Sequence, residues 1–446
     1  MRLAWLTTLY DGFRNRIGIL LATVVLLCVA PPGAVLAGEL PLFQALVDAV
    51  EEGETLSPPA GVYAGPVIIS DPITIDGRGE VTIDNQGKGT VILLDTDGAT
   101  IKGLHLTNSG SSANDLDSGV QVRGNFNVIK DNVMDEVLFG VDLQQSNNNI
   151  VRRNHITSIA RIPLGQKGDS VRLWYSFKNK ITDNVIEHVR DMVVWYSADN
   201  VISGNTTSHS RYSLHFMYSR GNLVENNEYY NNTVGIFLMY SDGVTIRNNQ
   251  IRHAAGPTGV GIGFKETSDL IIEDNQILYC ATGLYIDVSP YQPDTINIFE
   301  NNLIAYNGIG VRFLSPWHGN EFRYNNFAGN LTQVTVGGRG NAMKNVWEDN
   351  YWSDYEGFDQ DDNDIGDTPY KLTAYADRIW QDVPYAQFFK GSPVLEVLDF
   401  LERLAPFSEP KVLVEDRTPQ LIEHTKRTAP VKEKNALQLL LESQQS

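Results

Sequence analysis

The amino-acid sequence predicts an all-β chain folded as a right-handed parallel β-helix, a solenoid with about 22 residues in each turn. One observation is a phrase that returns about ten times between Asn127 and Asn350: an apolar residue, two mostly polar residues and an Asn. A second is its spacing, since successive copies lie 21 to 30 residues apart and 22 is the commonest interval. The third is that short runs with β-branched residues at alternate positions, separated by Gly and Asn, fill each period. Together they indicate a coil whose turns pack on one another.

The repeated Asn is expected to be structural. Turns of such a coil stack about 4.8 Å apart, so equivalent side chains lie one above another. An inward Asn at a bend can then bond both the local backbone and the Asn of the next turn. The members of this predicted ladder are Asn132, Asn154, Asn184, Asn205, Asn227, Asn249, Asn275, Asn302, Asn325 and Asn350.

The N-terminus predicts an export signal over residues 1–37. Three arginines precede or open the apolar run 17–30, and small residues before position 38 suit cleavage after Ala37. A run of that length could also be retained as a short membrane anchor. After cleavage Cys280 is the single remaining cysteine, so the exported chain would be held together by its core rather than by an internal disulfide.

The rest of the chain divides into three parts. Residues 38–57 carry a short apolar helix that we expect to cap the open end of the coil. Residues 58–390 form the coil and a terminal segment rich in Trp and Asp. In the arm 391–446, an amphipathic helix is predicted over 392–404 and a polar tail follows. We expect this arm to dock on a partner, and docking along the coil or partial disorder are the alternatives. In the first case its deletion should leave the coil folded.

Aligning the turns separates side chains that point into the coil from those that point out. One strand is apolar at every inward position, and its outward positions in the middle turns carry an apolar surface. That surface consists of Trp174, Val193, Trp195, His215, Met217, Phe237 and Met239, and the alignment continues to Phe264 or Lys265 after a shift of one residue. We call His215, Met217, Met239, Trp174 and Trp195 the soft patch. Its thioethers and imidazole suit Cu(I), and a metal-free docking or covered surface is the other interpretation.

Two further groups could bind metal. His188 and His209 occupy equivalent positions on neighbouring turns, close enough to share an ion if both point outward; solvated turn histidines are the alternative. Near the end of the coil a run of acidic residues resembles half of a calcium loop, and a loop bonded to its own backbone is the alternative. The candidate Ca²⁺ ligands there are Asp359, Asp361, Asn363 and Asp367.

The net charge of -19 excludes a nucleic-acid partner and favours cationic ones. Three function classes remain: a metal-handling protein, a carbohydrate-binding protein or polysaccharide lyase, hydrolase or epimerase, and a metal-free scaffold. An enzyme of the second class needs carboxylates and a base converging on one groove. The middle outward face carries Trp, Met, Phe and His instead, so we expect no enzyme activity.

The sequence resembles the NosD family of the NosDFY systems for maturing nitrous oxide reductase. Besides the Asn-punctuated coil, the resemblance rests on the start of the mature chain, Leu42-Phe43-Gln44-Ala45-Leu46, and on two late segments. These are Asn350-Tyr351-Trp352-Ser353-Asp354-Tyr355 and Gly366-Asp367-Thr368-Pro369-Tyr370.

The resemblance implies a periplasmic accessory protein that handles copper, or sulfur, for the copper–sulfur centre of the reductase. It also implies an inner-membrane complex with an ABC-type ATPase and a membrane subunit, and a lipoprotein that delivers copper. No ligand motif is carried over with the family. On this basis we expect a transient Cu(I) site at His215, Met217 and Met239, shielded by Trp174 and Trp195.

Overall fold

The computed structural model describes residues 40–338, 340–374 and 411–424, together with Ser392, Val397 and Leu401. The predicted signal at 1–37 and most of the predicted helix at 392–404 lie outside these residues. Among the described helices, none has the length and apolar character needed to cross a membrane.

Two parallel β-sheets wind around one continuous apolar core. Each middle turn contributes two three- or four-residue strands to a 24-stranded sheet and one longer strand to a 12-stranded sheet, which confirms the predicted β-helix. The 12-stranded sheet comprises Val67–Ile69, Ile92–Leu94, Ser118–Val122, Phe139–Gln144, Val171–Trp174, Asp191–Trp195, Tyr212–Met217, Val234–Met239, Val260–Lys265, Thr282–Asp287, Ile309–Phe313 and Thr332–Val336.

The 24-stranded sheet comprises Thr55–Leu56, Gly61–Ala64, Thr74–Asp84, Thr100–Thr107, Val128–Lys130, Val133–Val137, Ile150–Arg152, His155–Ser158, Lys180–Thr182, Val185–Glu187, Val201–Ser203, Thr206–Ser208, Leu223–Glu225, Glu228–Tyr230, Thr245–Arg247, Gln250–Arg252, Ile271–Glu273, Gln276–Leu278, Asn297–Glu300, Leu303–Ala305, Asn320–Arg323, Asn326–Ala328, Val346–Glu348 and Tyr351–Trp352. Helix is confined, within the described residues, to an α-helix at Gln44–Val47 at the start of the coil, a 3₁₀ turn at Leu164–Gln166 and isolated helical positions at Val397 and Leu401. Phe43, directly before that helix, and Val47, its last residue, pack into the core, as a cap requires.

The predicted inward and outward positions of the 12-stranded sheet are confirmed in the middle turns. Leu214, Phe216 and their equivalents are fully buried in the core. One assignment is wrong: Phe264 points into the core, and the outward positions of that turn are Gly263 and Lys265, which pair with Phe237 and Met239. The predicted shift does not occur because Gly263, rather than a larger residue, leaves room for the Phe237 ring above it.

The Asn ladder forms as expected. Each Asn side chain donates to the Asn Oδ1 of the next turn, as Asn205 does to Asn227 at 3.1 Å. The same Asn Nδ2 also donates to a backbone carbonyl of the preceding turn, for example that of Ile181 at 2.8 Å. Because these groups are buried and satisfied, the column has a structural role. A second column lies five residues earlier and consists of Asn127, Asn149, Asn179, Asn200 and Asn222. Its members bond in the same way from Asn149 onward, and Asn127 donates its backbone N–H to Asn149 Oδ1.

In the C-terminal arm, residues 411–424 are predicted to be a polar tail, and they contain a strand instead. The predicted helix at 392–404 lies mostly outside the described residues, so a helical arm is not supported. Lys411–Asp416 pairs antiparallel with Tyr370–Ala374, and Leu413 and Val414 are buried in the core. Asp416 takes the place of the next ladder residue and accepts hydrogen bonds from Asn350 Nδ2 at 3.0 Å and Trp352 Nε1 at 3.1 Å. Residues 411–424 therefore belong to the coil, and a deletion that spares the fold must begin after them.

Candidate metal centre

The soft patch lies on the outer face of the 12-stranded sheet. Parallel pairing sets Trp174 beside Trp195, Trp195 beside Met217 and Met217 beside Met239. In the adjoining outward column, His215 pairs with Phe237. The five predicted residues are thus brought together on four consecutive turns.

His215 and Met239 are in contact. The imidazole Nε2 of His215 lies 3.3 Å from the thioether sulfur of Met239 on the neighbouring strand. With metal–nitrogen and metal–sulfur bonds of about 2.0 and 2.3 Å, two ligands of one ion at a near-tetrahedral angle are about 3.3 to 3.5 Å apart. The separation of the pair fits a near-tetrahedral ion, and its donor atoms are of the soft kind that Cu(I) prefers.

His215 is suited to be a neutral ligand. Its side chain is buried, 8% exposed, and burial lowers its pKa below the usual value because it disfavours the charged imidazolium. Its second ring nitrogen, Nδ1, is buried and has no hydrogen-bond partner. A neutral imidazole keeps one lone pair for a metal ion.

Aromatic rings surround the pair. The Trp195 indole meets the His215 ring edge to face, with centroids 6.0 Å apart, and Trp174 packs on Trp195 at the same distance. Met217, Met239, Trp174 and Trp195 are all partly exposed, so the patch is open on its outer side. Beside it, four tyrosines stack ring on ring along successive turns: Tyr175, Tyr196, Tyr218 and Tyr240.

Buried ion pairs lie next to the patch on the same face. Arg172 bonds Asp142 at 2.7 Å, and Arg190 bonds Asp169 at 2.9 Å. Burial raises the pKa of Asp169 to about 7, and the neighbouring negative charge of Asp191 adds to this while Arg190 opposes it. Each of these carboxylates is thus engaged by an arginine rather than held ready for proton transfer.

Sequence reasoning missed the groups that hold His215. Tyr212 stacks on the imidazole, and Arg211 links Tyr212 to Asp191. Tyr212 lies three residues before His215, a spacing that places residues on opposite faces of a regular strand. The sequence carries no clear signal of the bulge that brings them together.

The other candidate histidines stack as rings. His188 and His209 lie with centroids 4.9 Å apart and planes 23° apart, both at left-handed backbone positions. This spacing is the rise between turns, so stacking accounts for their proximity. Two histidines outside these candidates, His105 and His155, pair with Asp135 at 3.0 Å and Glu187 at 3.6 Å.

The acidic loop is folded on itself. Asp359 accepts hydrogen bonds from the backbone N–H groups of Asp361, Asn363 and Asp364, and Asn363 accepts one from Ile365. These contacts are the alternative that the sequence left open. Binding of Ca²⁺ by Asp359, Asp361, Asn363 and Asp367 remains a prediction.

Across the described residues, no cluster of three His, Cys, Asp or Glu side chains could hold a metal ion. The soft patch would use donors of another kind, since thioethers and an imidazole meet there.

A family model described as "Periplasmic copper-binding protein (NosD)" matches residues 156–357, the segment that contains the soft patch. The "Probable ABC transporter binding protein NosD" of Pseudomonas aeruginosa is 27% identical over 368 residues, 78% of this chain and 83% of that protein. The chain is similar to NosD proteins over these residues. The protein of the same name from Stutzerimonas stutzeri is 32% identical over 111 residues, 25% of this chain and 26% of that protein.

A solved structure shares the fold of this chain. The A-module of the mannuronan C-5 epimerase AlgE6 from Azotobacter vinelandii superposes with a TM-score of 0.50 at 17% identity, covering 68% of this chain and 93% of that module. A similarity at this level of identity indicates a shared β-helix fold. The function has to be argued from the residues of the site.

Proposed function

We propose that the chain is a periplasmic accessory protein that binds Cu(I) at the soft patch and passes it on, together with an ABC-type transporter. The observation that carries this proposal is the 3.3 Å contact between His215 Nε2 and Met239 Sδ on a partly open face. The description of the matching family as copper-binding, and the naming of two relatives as ABC transporter binding proteins, support it. The client we propose is the copper–sulfur centre of nitrous oxide reductase.

The chemistry of the patch suits transfer rather than storage. Thioether and imidazole are neutral donors, so they bind Cu(I) without the added attraction of a thiolate. His215 and Met239 would be the first ligands, and Met217 is the nearest further sulfur by strand register. Trp174 and Trp195 would shield the ion from water and offer their ring faces to its charge.

A Cu(I) titration of the purified protein tests this function. Under reducing, oxygen-free conditions with a competing chromophoric chelator, we expect the wild-type protein to bind one equivalent of Cu(I). A variant with His215→Ala, Met217→Leu and Met239→Leu should lose that equivalent while keeping its circular dichroism spectrum. Unchanged stoichiometry and affinity in the variant would contradict the proposal and favour a metal-free scaffold.

The arm remains our candidate for docking on the membrane subunit of the transporter. Since residues 411–424 close the coil, the test deletes only 425–446. We expect this deletion to reduce co-purification with the membrane subunit and to leave Cu(I) binding unchanged. Full co-purification would count against the docking role of that segment. Delivery of copper by a lipoprotein is likewise a proposal, tested by adding the copper-loaded lipoprotein to the Cu(I) titration.

A further inference from the structure

A β-bulge in the strand Tyr212–Met217 turns Tyr212 toward the soft patch. Against the neighbouring strand, Asp191 pairs with Tyr212, whereas Val193 pairs with His215. Between these two pairs, one residue, Met192, lies opposite two, Ser213 and Leu214. The extra residue brings Tyr212 onto the same face as His215, and bulges commonly re-aim side chains beside functional sites.

The re-aimed Tyr212 is part of a continuous stack. Its ring lies on the His215 imidazole with centroids 5.1 Å apart and planes 21° apart. The Arg211 guanidinium carbon lies 4.9 Å from the centroid of the Tyr212 ring. Arg211 in turn bonds Asp191 through both carboxylate oxygens, with Nε 2.9 Å from Oδ1. Asp191 also accepts a hydrogen bond from the Tyr212 backbone N–H, at 3.2 Å.

Ring stacking, rather than hydrogen bonding, orients the His215 imidazole. His215 Nδ1 has no hydrogen-bond partner, so the usual means of orienting a metal-binding histidine is missing. Stacking on Tyr212 and the edge of Trp195 limits rotation of the ring instead. Asp191, which anchors Tyr212, is buried and accepts hydrogen bonds from Arg211 and from the Tyr212 backbone N–H.

We propose that Tyr212 is a positioning residue that, held by Arg211 and Asp191, keeps His215 Nε2 directed at Met239 for Cu(I) binding. The inference rests on the proposed function of the soft patch. It predicts that the tyrosine ring contributes to Cu(I) affinity through His215 alone.

A double-mutant cycle tests the proposal. In the full chain, Tyr212→Leu should weaken Cu(I) affinity about tenfold, the lower range for partners that orient a metal ligand. In a His215→Ala background the same change should have no further effect. Tyr212→Phe keeps the ring and should restore the affinity to near the wild-type value. The matched control is Tyr279→Leu, which removes a similar stack on His253, 5.2 Å apart, away from the patch.

The outcomes separate this inference from the proposed function. If His215→Ala leaves Cu(I) binding unchanged, the proposed function fails. If His215→Ala weakens binding but Tyr212→Leu does not, or weakens it equally in both backgrounds, the positioning role is wrong. Failure of Tyr212→Phe to restore the affinity would also overturn it. A loss shared by Tyr279→Leu would indicate a general effect on the coil and contradict the proposal.

Discussion

The imidazole Nε2 of His215 lies 3.3 Å from the sulfur of Met239 on the next turn of the coil. The two residues are 24 positions apart in sequence, and the stacking of turns alone brings them together. Met217 pairs with Met239 by backbone register. The direct contact gives Met239 the larger part in the site.

Met239→Leu should therefore weaken Cu(I) binding more than Met217→Leu. Leucine preserves volume and removes the sulfur. We expect a loss of more than about tenfold for Met239→Leu, because even residues that only orient a metal ligand contribute that much. The measurement is competition with a chromophoric Cu(I) chelator. Met134→Leu, inside the core, is the matched control and should leave affinity unchanged; equal effects of all three changes would contradict the assignment.

Asn227→Ala should destabilise the coil by about 3 kcal/mol or more. It leaves several buried polar groups without hydrogen-bond partners, at a typical cost of about 1–3 kcal/mol each. Asn227 Oδ1 accepts from Asn205 N and Nδ2, and Asn227 Nδ2 donates to Ile202 O and Asn249 Oδ1. Urea unfolding followed by circular dichroism measures the loss. The control is Asn226→Gly at the adjacent exposed, left-handed position, which glycine also adopts. Equal loss in both variants would show that the ladder is not responsible.

Asp416→Ala should loosen the end of the coil, because it removes the acceptor of Asn350 and Trp352. We expect faster amide exchange in Tyr370–Ala374 and Lys411–Asp416, measured by hydrogen–deuterium exchange. Asp416→Asn should restore slow exchange, since an amide oxygen accepts these bonds at every earlier step of the ladder. Slow exchange in the alanine variant would contradict the capping role.

The ionisation of Asp169 should lower the free energy of unfolding of the coil as pH rises from about 4 to about 7. Burial raises its pKa to about 7 from an ordinary 3.8, so in this range the unfolded chain releases a proton that the folded chain retains. The free energy of unfolding should fall by on the order of 2 kcal/mol more in the wild-type protein than in Asp169→Asn. Urea titrations of both proteins at pH 5 and pH 7.5 measure this difference. Parallel pH dependence in the two would show that Arg190 keeps the carboxylate charged throughout.

The coil and its faces could be predicted because both follow from periodicity. Each ladder Asn marks a bend, and alternation from that bend tells which side of a strand faces out. The same alternation predicts that Trp195, Met217 and Met239 lie on one face. The prediction failed at Phe264, where a shift of one residue was predicted and the regular alternation in fact continues through Gly263 and Lys265.

The remaining features depend on contacts that periodicity does not encode. Tyr212 reaches His215 through an inserted residue, which breaks the alternation on which sequence reasoning relies. Lys411–Asp416 pairs with a strand about 40 residues earlier, and its Val-Leu-Val run was included in a polar tail. The ion pairs of Asp142 and Asp169 join different turns, so their partners follow from exact register.

The central claim is that His215 and Met239 together bind Cu(I). X-ray absorption at the copper edge of the Cu(I)-loaded protein tests it most directly. The account predicts a first shell with both sulfur and imidazole nitrogen, from which Met239→Leu removes sulfur and His215→Ala removes the imidazole scattering. A shell of oxygen and nitrogen alone, unchanged in both variants, would contradict it.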